Sequence, residues 1–79
     1  MNFDLVKTLL NEGVSLSFAV ERCHDGEGYQ IMVINDGDGR WKYLSTVRVS
    51  DQARRFKNMN TVVDMIDKDF NSSFEFYRT

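Results

Sequence analysis

An α+β fold is predicted: a three-stranded antiparallel meander with an N-terminal and a C-terminal helix, in the order α-β-β-β-α, with a possible short final strand. Three observations predict it. Apolar residues recur at helical spacing near both ends of the chain, while the middle carries runs of alternating or continuous apolar residues separated by glycine-bearing turns. The 79 residues, at 42% apolar, suffice for one small core, and no linker or repeat divides them, so residues 1–79 read as a single domain.

Each element has its own signal. Leu5, Val6, Leu9 and Leu10 mark one face of a first helix. Asn2 is placed to cap it, Asp4 suits its positive end, and Gly13 can stop it in the left-handed conformation. Leu16, Phe18 and Val20 then alternate with Ser15, Ser17, Ala19 and Glu21, the period of a half-covered strand. A turn at His24-Asp25-Gly26-Glu27-Gly28 leads into the compact apolar run Tyr29 to Ile34, a central strand. Asn35-Asp36-Gly37-Asp38-Gly39 is a hairpin signal. In the third strand Trp41, Tyr43, Val47 and Val49 share one face against Lys42, Thr46 and Arg48, and Leu44 falls out of phase.

The next segment has two readings. In the favoured one Ser50 caps a long helix opened by Asp51, with Ala53, Phe56, Met59, Val63, Ile66 and Phe70 on one face and a bend near Asn58 to Asn60. In the other, residues 53–57 are extended and the helix starts at Asn60, capped by Asn60 or Thr61. Asn71-Ser72-Ser73 ends the helix, and Phe74 to Tyr77 alternates as a short strand or an extended tail.

Composition excludes several chemistries. One cysteine, Cys23, precludes an internal disulfide, and with one histidine, His24, it falls short of a four-ligand zinc set unless carboxylates or a second chain contribute. Neither a cofactor nor a metal is expected, so the fold rests on packing, alone or with oligomerisation. Ten basic against twelve acidic residues leave a net charge of −2, without the excess of a protein that grips phosphates. No segment approaches the roughly 20 apolar residues of a membrane span, and the start lacks a signal peptide's basic and apolar regions. The chain reads as full length and cytoplasmic, with no membrane partner.

No catalytic constellation emerges. Asp36-Gly37-Asp38-Gly39 resembles the start of a calcium loop, but Arg40, Trp41 and Val47 occupy positions that need an oxygen ligand, a glycine and a glutamate. Cys23 and His24 are adjacent, so a strand points them to opposite faces and no nucleophile–base pair forms. The carboxylates Glu21, Asp25 and Glu27, and Asp64, Asp67 and Asp69, have no evident pocket to raise one of them for acid–base work. Gly26 and Gly28 belong to a turn, not to a phosphate-binding strand–helix junction. The chain is expected not to be an enzyme.

Two surfaces remain as candidates for partner binding. Arg48, Arg54, Arg55 and Lys57 cluster in sequence, and a helix from Ser50 would align Arg54 and Lys57 on its outer side. Trp41 and Tyr43 would add stacking surface. Together with Tyr29, Phe74, Phe76 and Tyr77 they give more aromatic area than so small a core can cover, which suits a partner interface or a homodimer.

The order of helix, three strands and helix over residues 3–70 resembles the double-stranded-RNA-binding domain. That family carries a Gly-Pro-x-His turn between its first two strands and a lysine-rich start to its second helix. Here Cys23 to Gly28 has no proline, and the second helix opens Ser50-Asp51-Gln52-Ala53-Arg54-Arg55, so no site residue carries over. In size, acidity and lack of motifs the chain is also similar to the small accessory proteins of phages and plasmids, including inhibitors of CRISPR interference. That similarity implies a non-enzymatic protein that regulates or inhibits a larger protein or nucleoprotein partner. The alternative is a nucleic-acid-binding module that uses the basic patch.

Overall fold

The computed structural model describes residues 1–24, 26–45 and 53–77. It is a small α+β fold with two helices and one mixed sheet. In chain order the elements are α1 (Phe3–Asn11), β1 (Leu16–Arg22), β2 (Tyr29–Asn35), β3 (Trp41–Tyr43), α2 (Met59–Asp64), a π-helical turn (Met65–Asp69) and β4 (Phe74–Tyr77). The strand order is β3-β2-β1-β4. The meander pairs antiparallel, and β4 lies parallel to β1 with Phe18 opposite Phe74 and Val20 opposite Phe76.

The expected three-stranded antiparallel sheet is therefore corrected to a four-stranded mixed one. A meander would leave one edge of β1 with unpaired N–H and C=O groups. The chain returns past the second helix and fills that edge with Phe74–Tyr77, which turns the possible tail into a strand.

α1 begins and ends as its sequence predicts. Asn2 Oδ1 accepts from Leu5 N at 2.8 Å. Gly13, at φ +85°, closes the other end by donating to Leu10 O, and Val14 N reaches back to Leu9 O. These two bonds satisfy carbonyls that the helix end leaves unpaired. The buried face differs from expectation: Val6 is fully buried, with Phe3 and Leu10 beside it, while Leu5 is 45% exposed.

The long second helix is also corrected. Ser50 and Asp51 lie outside the described residues, but residues 53–56 run extended rather than helical. Ala53 bridges to Ser45, Arg54 N donates to Leu44 O at 2.8 Å, and Phe56 and Tyr29 exchange both backbone hydrogen bonds, at 2.8 and 2.9 Å. Asn58 is the cap, accepting from Asn60 N at 2.8 Å. The segment from Met59 is helical as expected, but Val62 and not Val63 faces the core: Val62 is fully buried and Val63 is 38% exposed. The upstream continuation of the helical spacing misled because Phe56 enters the same core from an extended segment.

The core lies on one side of the sheet. Phe18 and Val20 of β1 and Ile31 and Val33 of β2 pack with Val6 of α1 and with Val62, Met65, Ile66 and Phe70 of the second helical segment. Leu44, out of phase in sequence, is fully buried in this cluster, and Trp41 and Tyr43 face the other way. Val47 and Val49 lie outside the described residues. Among the described residues, no helix is long and apolar enough to cross a membrane.

Candidate functional site

Both helices bury their apolar faces on the same side of the sheet, so the opposite side has no helix among the described residues. Strand register decides what that free face presents. β1 contributes Ser17, Ala19 and Glu21; β2 contributes Gln30, Met32 and Ile34; β3 contributes Trp41 and Tyr43; β4 contributes Glu75. Trp41 is 49% exposed and meets Tyr43 edge to face, with ring centroids 5.2 Å apart. Met32 and Ile34 lie half-buried alongside. The result is an aromatic and aliphatic strip on a strand face that a larger domain would cover.

The polar members of this face are organised around two carboxylates. Glu21 is buried and accepts a hydrogen bond from the Tyr43 hydroxyl. That bond, with burial and the carboxylate charge adding to it, pushes the Tyr43 phenol from an ordinary 10.0 up to about 12. The native state holds the phenolic proton more tightly than the unfolded chain does. The contribution of this hydrogen bond to stability is therefore fully present below about pH 10 and is lost as pH rises toward 12. Absorbance titration at alkaline pH should show Tyr43 ionising late, and Tyr43→Phe should remove both that transition and the stability loss tied to it.

Asp36, in the β2–β3 turn, accepts from Ser17 Oγ at 2.6 Å and Ser15 Oγ at 2.7 Å. These hydrogen bonds, Ser17 first, hold its carboxyl below the usual aspartate range. The rest of the turn closes on itself. Asp38 Oδ1 accepts from Arg40 N and Asn35 Oδ1 from Gly37 N, each at 2.9 Å. The oxygens of the calcium-like loop thus serve the hairpin, and among the described residues no three His, Cys, Asp or Glu side chains converge as a metal site.

A groove of about 560 Å3 opens at one end of the free face. Ser17 and Ala19 of β1, Ile34 of β2 and Glu75 of β4 line it from this face, Phe18 and Phe74 reach it from the core side, and the 71–73 segment lines its end. Asn71 there takes φ +48°, the left-handed conformation that ends the second helix.

The residues predicted for partner binding fall in different places. Trp41 and Tyr43 are together on the free face. Arg54 is half-buried, its guanidinium 4.8 Å from the Phe56 ring centroid, and Arg22 lies 5.8 Å from that of neighbouring Tyr29. Because residues 53–56 are extended, the helical stripe expected to align Arg54 with Lys57 is absent. Arg55 and Lys57 are exposed, and Arg48 lies outside the described residues. Cys23 is buried and His24 exposed, and Asp25 lies outside the described residues.

Sequence reading missed Glu21, Met32, Ile34, Glu75 and the groove. Alternation in β1 and β2 signalled a second face. That no described helix covers this face follows from both helices packing on the other side. No protein-family model, curated protein or solved structure matches the chain.

Proposed function

We propose that this chain is a non-enzymatic binding protein that docks on a larger protein or nucleoprotein partner through the sheet face opposite its two described helices, and so regulates or inhibits that partner. The carrying observation is Trp41, half exposed in an apolar strip that no described element covers. Aromatic side chains of this kind anchor protein interfaces because they bury a large area at small conformational cost. A domain acting by coverage, as the small accessory proteins of phages and plasmids do, needs only a stable scaffold and such a face.

The test is site-specific crosslinking in cells of the native host. A benzophenone side chain at position 41 is expected to capture a discrete protein partner. The same group at Val63, 38% exposed on α2, is expected to capture none. With the captured partner in hand, Trp41→Ala should weaken binding by about 2 kcal/mol, roughly 30-fold. Capture from position 63 but not 41 would overturn the assignment of the face. Loss of binding on Arg54→Glu, Arg55→Glu and Lys57→Glu, together with a steep salt dependence on DNA or RNA, would favour the nucleic-acid reading instead.

A further inference from the structure

Among the described strand residues, the free face is apolar at its centre and acidic at its charged groups. Of the described strand residues that register places there, the ionisable carboxyls are Glu21 and Glu75, and none is lysine or arginine. Asp36 adds a third carboxylate, tethered to Ser17 in the groove lining. Arg22 and Lys42 belong to these strands but have the opposite register and turn to the other side. A polyanion would be repelled here. A second copy placed face to face would oppose carboxylate to carboxylate. A cationic surface is the complement.

The groove sharpens this. From this face β1 lines it with two small residues, Ser17 and the largely buried Ala19, roughly 6.7 Å apart along the strand. Ile34 lines one side, and Glu75 lies on the other. This is the pattern that suits an amphipathic side chain, whose methylenes lie on apolar surface while its charged head stays at the wet end.

We propose that the groove over Ser17 and Ala19 seats a single arginine or lysine side chain of the partner protein, its stem across Ala19 and Ile34 and its head drawn by the carboxylates of Glu75 and Asp36. This rests on the reading of the free face as a protein-docking surface, and it assigns the partner's chemistry: an apolar patch carrying at least one protruding cation.

The probe is the tripeptide amide N-acetyl-Gly-Arg-Gly, titrated into the full chain and followed by backbone amide shifts. Its control replaces arginine with citrulline, which keeps the shape and loses the charge. Saturable shifts are expected at Ser17, Ala19, Ile34 and Glu75, with the citrulline peptide about tenfold weaker. Glu75→Lys should weaken arginine binding about tenfold and the shape-preserving Glu75→Gln about threefold. Glu12→Lys makes the same change in net charge at the end of α1 and should stay within about twofold, because the head is met locally rather than by the whole protein's field. Equal binding of the two peptides, equal losses in Glu75→Lys and Glu12→Lys, or the same amides moving with a thymidine oligonucleotide would overturn the proposal. The outcomes separate it from the docking reading. Capture at position 41 with indistinguishable peptides leaves a docking face and removes the cationic seat. Arginine-selective shifts without capture at position 41 keep the seat and remove the docking function.

Discussion

Phe70→Ala is expected to lower the unfolding free energy by about 4 kcal/mol, the middle of the range for deleting a buried aromatic. Phe70 is 3% exposed and ends the π-helical turn, where its N–H still bonds to Met65 O at 3.1 Å. Its ring stacks on Phe18 of β1, with centroids 5.1 Å apart and planes 11° from parallel, and leans on Phe3 of α1 at 5.3 Å. One side chain therefore joins the first helix, the central strand and the second helical segment. Truncation removes apolar contact and leaves a cavity at a three-way junction where none of the neighbours can move in without leaving another. A domain of this length is stabilised by roughly 4–12 kcal/mol, so this one truncation removes about a third or more of the total. Urea titration should show the midpoint falling with the slope unchanged. Leu5→Ala, on the same helix as Phe3 but 45% exposed, should cost under about 1 kcal/mol. A similar loss in both variants would mean that the aromatic junction is not the keystone of the core.

Gly28→Ala is expected to cost about 3 kcal/mol, from two sources that a companion variant separates. Gly28 has φ +96°, a conformation that costs a residue with a Cβ about 1–2 kcal/mol. A Cβ at this position would also lie 2.7 Å from the carbonyl oxygen of Phe56, a backbone atom with no freedom to swing away. Forcing them apart strains the site by about another 1–3 kcal/mol. Gly26 in the same turn has φ +77°, and a methyl group added there would meet nothing within 4 Å, so Gly26→Ala carries only the conformational part, about 1 kcal/mol. The clash falls on the bridge between Tyr29 and Phe56. Amide exchange at these two residues should accelerate in Gly28→Ala and not in Gly26→Ala. Equal effects of the two substitutions would show that close approach of the 53–56 segment is not what requires glycine at position 28.

That glycine illustrates where sequence reading stops. Gly26 and Gly28 look alike in a turn-rich pentapeptide. Only the return of Phe56, twenty-eight residues later, makes one of them sterically necessary. The same holds for Glu21, which reads as the wetter side of an alternating strand. Tyr43, two strands away across the sheet, supplies the hydroxyl that lets the carboxylate be buried. Of the candidate site, Trp41 and Tyr43 were legible as surplus aromatics. Their neighbours Met32 and Ile34 were hidden in an apolar run that looked equally suited to burial on both sides.

What the sequence by itself determined is local. The cap at Asn2, the stop at Gly13, the alternation of β1 and the self-closing hairpin at Asn35 to Gly39 each depend on residues a few positions apart, whose preferences act within one turn of chain. What only the tertiary structure decided is pairing over distance: β4 against the far edge of β1, Phe56 against Tyr29, and both helices on one side of the sheet. Apolar burial carries no direction, so periodicity states that a face is apolar without stating what covers it. The open face that carries Trp41 exists because, once both helices had packed on Phe18, Val20, Ile31 and Val33, no described helix was left to cover the other side.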